Sequence, residues 1–556
     1  MIKKHIPLLV LTCLLAHHAL SQSVNWYHEN ISTDKPYNIG TDELYESIIK
    51  DRNGVPVIVA VIDSGVDIEH EDLDDKIWVN ADEIPNNGVD DDNNGYIDDV
   101  NGWNFIGGPD GRQVGGDTYE LTRAYIELKA KYEHIDPQSL KDKELEEYNL
   151  YNEYGARIEG EIKSSKSRYE EYHSAIVIYE EILDYLRDYV GEGDIDKTLV
   201  DSLSTDGSRQ AQIATNVINV VEGDIGHLPT VDEVQAYLLP EGIYEAQDYF
   251  AAKWKYHYNI DLDSRDIVGD NYKDLTNRKY GNQLVEGPDA EHGTHVAGII
   301  GAERDNDQGI NGINNNAQIM VLRAVPNGDE RDKDVANAIY YAVDNGAKVI
   351  NMSFGKGLSP NKQYVDDAVR YAEKNDVLLI HASGNASLDV DTEKNFPNDK
   401  YLKPKGFLFW KKKKSKNWIS VGATSNTNSE KIVASFSNYG KENVDIFAPG
   451  EFMYSTVPDS KYKTLQGTSM AAPVVAGVAS LLRSYFPNLS ASQVKEILLT
   501  TATVIDKKVK KPGSEEMVPF YNLSVSGGIL NAKNAFIKAA EMNGGRSKKV
   551  KNKVNA

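Results

Sequence analysis

The sequence predicts an α/β fold built on a mainly parallel sheet, and three observations predict it. Residues 55–66 form a near-continuous, mostly β-branched run that closes on Asp63-Ser64-Gly65, the pattern of a strand buried on both faces and ending in a turn. Runs of the same kind recur at 318–325, 347–352, 377–382 and 418–422. Helical stretches at 335–345, 361–375 and 469–486 lie between and after them, and strands alternating with helices place a parallel sheet between two helical layers. In such sheets the functional crevice lies at the carboxyl ends of the strands. Asp63 and the string Ala382-Ser383-Gly384-Asn385 both fall at such ends.

At 556 residues the chain is longer than one ordinary domain. Its net charge of −25 argues against nucleic acid as a partner, because a phosphate backbone needs a basic footprint. An acidic balance suits a soluble surface and also calcium. Residues 1–21 read as a signal peptide: Lys3 and Lys4, an apolar run over 6–16, and a small-x-small site at Ala19-Leu20-Ser21. The expected location is secreted or periplasmic. The one cysteine, Cys13, lies inside that leader, so the mature chain is expected to hold no disulfide. No other run of about 18 apolar residues is present, and no transmembrane anchor is expected.

Three strings carry the chemistry: Val61-Ile62-Asp63-Ser64-Gly65-Val66-Asp67, His292-Gly293-Thr294-His295-Val296-Ala297-Gly298 and Gly467-Thr468-Ser469-Met470-Ala471-Ala472-Pro473. An acid, a base and a hydroxyl arrive in the order Asp, His, Ser, one of the chain orders of the serine-hydrolase triad. A serine hydroxyl needs a base within reach, and the base needs a group that fixes its tautomer. Ser469 opens a helix rich in small residues, where backbone N–H groups and the positive dipole end face a developing oxyanion. The alternative for Ser469 is a helix cap and nothing more. His292 and His295 stand three apart, as metal ligands do on a helix, but the glutamate of a zinc motif is missing.

With the fourth string, His381-Ala382-Ser383-Gly384-Asn385, these motifs resemble the subtilisin-type serine peptidases, the subtilases, over roughly 55–110 and 285–540. The resemblance implies a subtilisin-like three-layer fold and a polypeptide substrate. It implies that Ser469 is the nucleophile, His292 the base, Asp63 its orienter and Asn385 the side-chain oxyanion donor. His295 then reads as a packed structural histidine, and Asp67 lies past the turn. Asn385 has a simpler reading as a turn residue after a strand. The resemblance further implies that Ser353, Phe354 and Gly355 pair with substrate as an added strand, and that with Ala382, Ser383 and Gly384 they wall the primary pocket. Phe354 is expected to narrow a neighbouring subsite.

Asp90-Asp91-Asp92-Asn93-Asn94-Gly95-Tyr96-Ile97-Asp98 has the spacing of the front half of an EF-hand loop, with oxygens at Asp90, Asp92, Asn94, the Tyr96 carbonyl and Asp98. Position 12 is Asn101 in place of the usual glutamate, so another ligand must come from elsewhere. The expected cofactor is structural Ca2+, against the simpler reading of an acidic turn. Asp72 with the loop 305–310 is a second calcium candidate, by resemblance.

The domain reading is therefore an N-terminal extension at 22–54, a discontinuous peptidase domain at 55–110 and 281–545, a mostly α-helical insertion at 111–280 and a basic tail at 546–556. The insertion follows from the separation of 229 positions from Asp63 to His292, which relatives cover in a few tens. Tyr169, Tyr172, Ile176, Tyr179, Leu183, Leu186 and Val190 step by three or four and line one helix face. Residues 232–239 and 244–258 also read as helical. The insertion is either a lid, exosite or arm for a protein partner, or a decoration without activity of its own.

Overall fold

The computed structural model describes residues 23–190, 194–405 and 412–542. The expected leader 1–21, with Cys13, and the expected basic tail 546–556 lie outside the described residues. The described residues form two compact units, 23–115 with 264–542, and Gly116–Asp263. Residues 264–280 thus belong to the first unit.

Among the described residues, the first unit is built on a nine-stranded sheet. From edge to edge its strands are Thr503–Val504, Gly528–Ile529, Ile446–Pro449, Trp418–Thr424, Leu378–Ala382, Val349–Met352, Val57–Asp63, Ala317–Arg323 and Gly102–Asn104. All pairings are parallel except the first, at the edge. The α/β class and the mainly parallel sheet expected from the sequence are both present. Each β-branched run matches one strand to within a few residues.

Val57–Asp63 is a central strand, paired from Val57↔Ala317 to Asp63↔Arg323 on one side and with Val349–Met352 on the other. Side chains alternate across a strand. Val59 and Val61 therefore enter one core and Ala60 and Ile62 a second. The first core is closed by the helices Glu291–Gly301 and Thr468–Tyr485, through Val296, Ile299, Val474 and Val478. The second is closed by Asp332–Asp344 and Lys362–Lys374, through Ile339 and Val369. Each fully buried aliphatic side chain here contributes about 1.5–3 kcal/mol, which is why the strand tolerates almost no polar residue before Asp63. Trp26, Tyr27, Ile39 and Leu44 are buried in the first core, so the N-terminal extension is part of it.

The second unit, Gly116–Asp263, is helical. Asp142–Val190 is a 49-residue helix. Its Ile176, Leu183 and Leu186 are buried against Leu203, Ala214, Ile218 and Val234 of the helices Lys197–Asp206, Arg209–Ile225 and Val231–Leu238. Tyr172, Tyr179 and Val190, on the same face, are partly buried beside them. Asp196, Ser208 and Thr230 cap the three shorter helices, Thr230 with Glu233 in a reciprocal pair.

Candidate active site

Asp63 closes its strand, buried at 2% exposure. Its Oδ1 accepts from the Ser64 amide at 2.8 Å and from His292 Nδ1–H at 2.7 Å. An ionised carboxylate only accepts, so this contact places the ring proton on Nδ1 and leaves Nε2 free to take another. The approach depends on two glycines. A Cβ on Gly65, whose φ is +130°, would lie 1.7 Å from the Glu286 carbonyl oxygen. One on Gly293 would lie 2.0 Å from the Gly65 carbonyl oxygen and 3.2 Å from Asp63 Cβ. The helix bearing His292 therefore rests directly on the Asp-Ser-Gly turn.

Ser469 is the second residue of the Thr468–Tyr485 helix. Pro473, four residues on, lacks the N–H that would bond the Ser469 carbonyl. Ser353 Oγ–H takes that place at 2.8 Å, while Ser469 Oγ–H donates to the Ser353 carbonyl at 3.1 Å. Asn351 Nδ2–H in turn donates to Ser353 Oγ at 2.9 Å. Among the described residues no hydrogen bond joins Ser469 Oγ to His292 in this conformation; such bonds often tighten only with substrate bound.

Asn385 Oδ1 accepts from the Thr468 amide at 2.8 Å and the Thr468 hydroxyl at 2.9 Å. The Gly384 amide donates to the same hydroxyl at 3.1 Å. Using Oδ1 this way leaves the exposed Nδ2–H group as a donor beside the helix start that carries Ser469.

The two expected substrate walls follow neighbouring strands, since Met352 and His381 are paired. Ser353, Phe354 and Gly355 leave one strand; Ala382, Ser383 and Gly384 end or leave the other. Sequence reasoning missed Asn395. Its Nδ2–H donates to the Ser383 carbonyl at 2.9 Å. A Cβ on Gly355 would lie 2.8 Å from Asn395 Oδ1, and one on Gly384 3.7 Å from Asn395 Nδ2. The amide thus closes the gap between the walls. Behind it is a cavity of about 210 Å³ lined by His381, Ser383, Phe396 and Trp418. Phe354 is half-buried and meets His381 edge-on, with ring centroids 6.5 Å apart. Asp289 was also missed. It is exposed and lines a second cavity of about 340 Å³ with Asp63, His292, Arg323, Asn327 and Ser353.

Burial opposes charging of the His292 ring, but the Asp63 carboxylate outweighs it by charge and hydrogen bond, with help from Asp289 and Glu291, and raises the pKa. His295 differs. It is buried, with Nε2 between the Met453 and Lys463 carbonyls, and burial followed by the His292 charge pushes it down to about 3. Asp67 binds the Glu69 and Asp459 amides instead of a ring.

In the acidic loop, carboxylate oxygens of Asp90, Asp92 and Glu83 lie within 4.8 Å of one another. Glu83, seven residues before the motif, has no signal in the spacing. Asn94 lies beside Asp92, its Nδ2–H donating at 2.9 Å, and Asn94 Oδ1 accepts from the Tyr96 amide at 2.8 Å. Asp98 turns to the Asn87 and Gly88 amides, both at 3.0 Å. Asp72 stands on the 305–310 loop, accepting from Asn306 Nδ2–H at 2.8 Å, and burial raises its pKa.

A model of the subtilase family of peptidases matches residues 54–521. Thermitase of Thermoactinomyces vulgaris is 40% identical over 38% of this chain and 68% of its own length. Subtilisin DY of Bacillus licheniformis is 38% identical over 38% of the chain and 70% of its own. The cell wall-associated protease of Bacillus subtilis is 36% identical over 47% of the chain, a stretch equal to only 27% of that relative.

The site's electrostatics give a direct expectation. An NMR titration of the imidazole protons finds His292 above the 6.5 of an ordinary ring, and Asp63→Asn moves it downward, because removing the carboxylate destabilises the imidazolium. His295 shows no titration between pH ~5 and 8. A His292 value at or below 6.5, or no response to Asp63→Asn, contradicts the arrangement.

Proposed function

Because the chain belongs to the subtilase family, we propose that it is an exported serine endopeptidase that cuts polypeptides through Asp63, His292 and Ser469. The observation that carries this reading is the 2.7 Å bond from His292 Nδ1 to buried Asp63, formed at the carboxyl ends of the strands beside the helix start that holds Ser469. Substrate lies extended between residues 353–355 and 382–384, paired through its main chain. Ser469 Oγ leaves the Ser353 carbonyl, gives its proton to His292 Nε2 and attacks the scissile carbonyl. The oxyanion takes Asn385 Nδ2–H and the Ser469 amide as donors. His292 then protonates the leaving amine, and the acyl group stays on Ser469 Oγ until water, deprotonated by the same ring, releases it.

The acidic loop is read as a structural calcium site. Three carboxylate oxygens gathered within 4.8 Å are hard donors of the kind Ca2+ takes. Glu83 and Asp90 also accept from backbone amides of the loop, which fixes their carboxylates in place. Export rests on the leader read at 1–21.

Three outcomes test these readings. Hydrolysis of a chromogenic peptide falls about a millionfold in Ser469→Ala and about 10²–10³-fold in kcat for Asn385→Ala, the sizes found for the corresponding changes in subtilisin itself; a loss under tenfold in either denies it the assigned role. Asn395→Gly opens the base of the primary pocket, so cleavage after large aromatic residues rises relative to cleavage after alanine; an unchanged ratio sinks that reading of Asn395. Finally, chelation lowers stability by about 2.7 kcal/mol relative to free Ca2+ at ~100 times its Kd, seen as a lower Tm. Asp90→Asn with Asp92→Asn abolishes that difference, whereas an equal response in the double variant places the ion elsewhere.

A further inference from the structure

The strands Lys400–Lys405 and Lys412–Lys414 form an antiparallel ribbon of their own, paired at Lys400↔Lys414 and Lys405↔Lys412. One side of it is fastened to the helix Lys362–Lys374. Tyr401 is buried, donates its phenol to Glu373 at 2.9 Å and lies under the Arg370 guanidinium at 3.8 Å. The Leu402 amide donates to Asp366, Lys362 Nζ donates to the Lys400 carbonyl, and Arg370 donates to the Lys403 carbonyl. The ribbon is therefore held by Tyr401 and by its backbone, and several of its cations take no part in holding it.

Lys412 pairs with Glu373 and Lys414 with Asp399. Lys400, Lys403, Lys413 and Lys416 are exposed and, among the described residues, make no ion pair. Leu402, 59% exposed, stands between Lys400 and Lys403. The charge is unusual for this chain: residues 400–405 and 412–416 hold seven lysines and no acid, in a protein of net charge −25.

We propose that this ribbon docks the protein on an anionic lipid surface. Lysines near such a surface gain from its negative potential, and an apolar side chain among them enters the headgroup boundary. Leu402 favours a bilayer over a soluble polyanion, which offers no apolar phase. The ribbon follows directly on the Asn395–Asp399 segment, and Phe396 is bridged to Lys356 next to the 353–355 wall. Docking through it holds that wall near the surface.

The test is flotation of the full chain with vesicles of equimolar phosphatidylglycerol and phosphatidylcholine, beside vesicles of phosphatidylcholine alone. The protein floats with the first and not the second, and added salt releases it as the Debye length shortens. Lys403→Glu with Lys413→Glu weakens binding by about tenfold or more, while Lys403→Arg with Lys413→Arg retains it. Thermal unfolding and hydrolysis of a short soluble peptide match the parent in both. Equal binding by the charge-reversed chain, binding to neutral vesicles alone, or binding to heparin without any to vesicles overturns the proposal, the last by making the ribbon a site for an anionic polymer.

Discussion

The arrangement depends on one backbone contact, between the turn that ends the Val57–Asp63 strand and the helix that starts at Glu291. Gly65 and Gly293 meet with no room for a side chain on either. This closeness lets an imidazole and a carboxylate 229 residues apart in sequence meet at 2.7 Å. Overpacking such a contact costs about 1–3 kcal/mol, and here the displacement would pass straight into the geometry of the site. The parallel register carries the rest. Val59↔Val349 on one side and Val57↔Ala317 on the other hold the central strand, so its end has one position relative to the chain segments that leave the neighbouring strands at Met352 and Ala382.

The hydroxyl is fixed by another means. Pro473 looks misplaced inside a helix, yet it frees the Ser469 carbonyl for Ser353 Oγ–H, and Ser353 returns its own carbonyl to Ser469 Oγ. Ser353, on the expected substrate wall, thus holds the hydroxyl-bearing residue on both sides. Turning Ser469 Oγ from Ser353 toward His292 exchanges one hydrogen bond for another, a net change of about 1 kcal/mol, small beside a reaction barrier. Asn385 is used in the same economical way, anchored by its oxygen so that its nitrogen stays available.

The sheet was legible in the sequence because buried parallel strands are near-continuous β-branched runs, and each run has its strand. Asp63, His292 and Ser469 were legible as strings, since each needs small neighbours in fixed places. Asn395 and Asp289 were not, because each is placed by residues distant in the chain: Asn395 by Gly355, Ser383 and Gly384, while Asp289 lines one cavity with Arg323. Glu83 was missed for a like reason, entering the acidic loop from before it, while Asp98 stands at a ligand's spacing but, at a φ of +55°, binds the Asn87 and Gly88 amides. The helical periodicity read at 169–190 and 232–258 does not mark where the helical unit ends. Arg265 and Tyr280 lie inside the expected insertion but belong to the first unit, through Asp334.

The measurement that bears most directly on the central claim is covalent labelling by a fluorophosphonate, with the site located by peptide mapping, beside Ser469→Ala and His292→Ala. The account predicts one label on Ser469 in the parent and almost none in either variant, because the hydroxyl is reactive only with its base in place. A label on another residue, or equal labelling without His292, would contradict it.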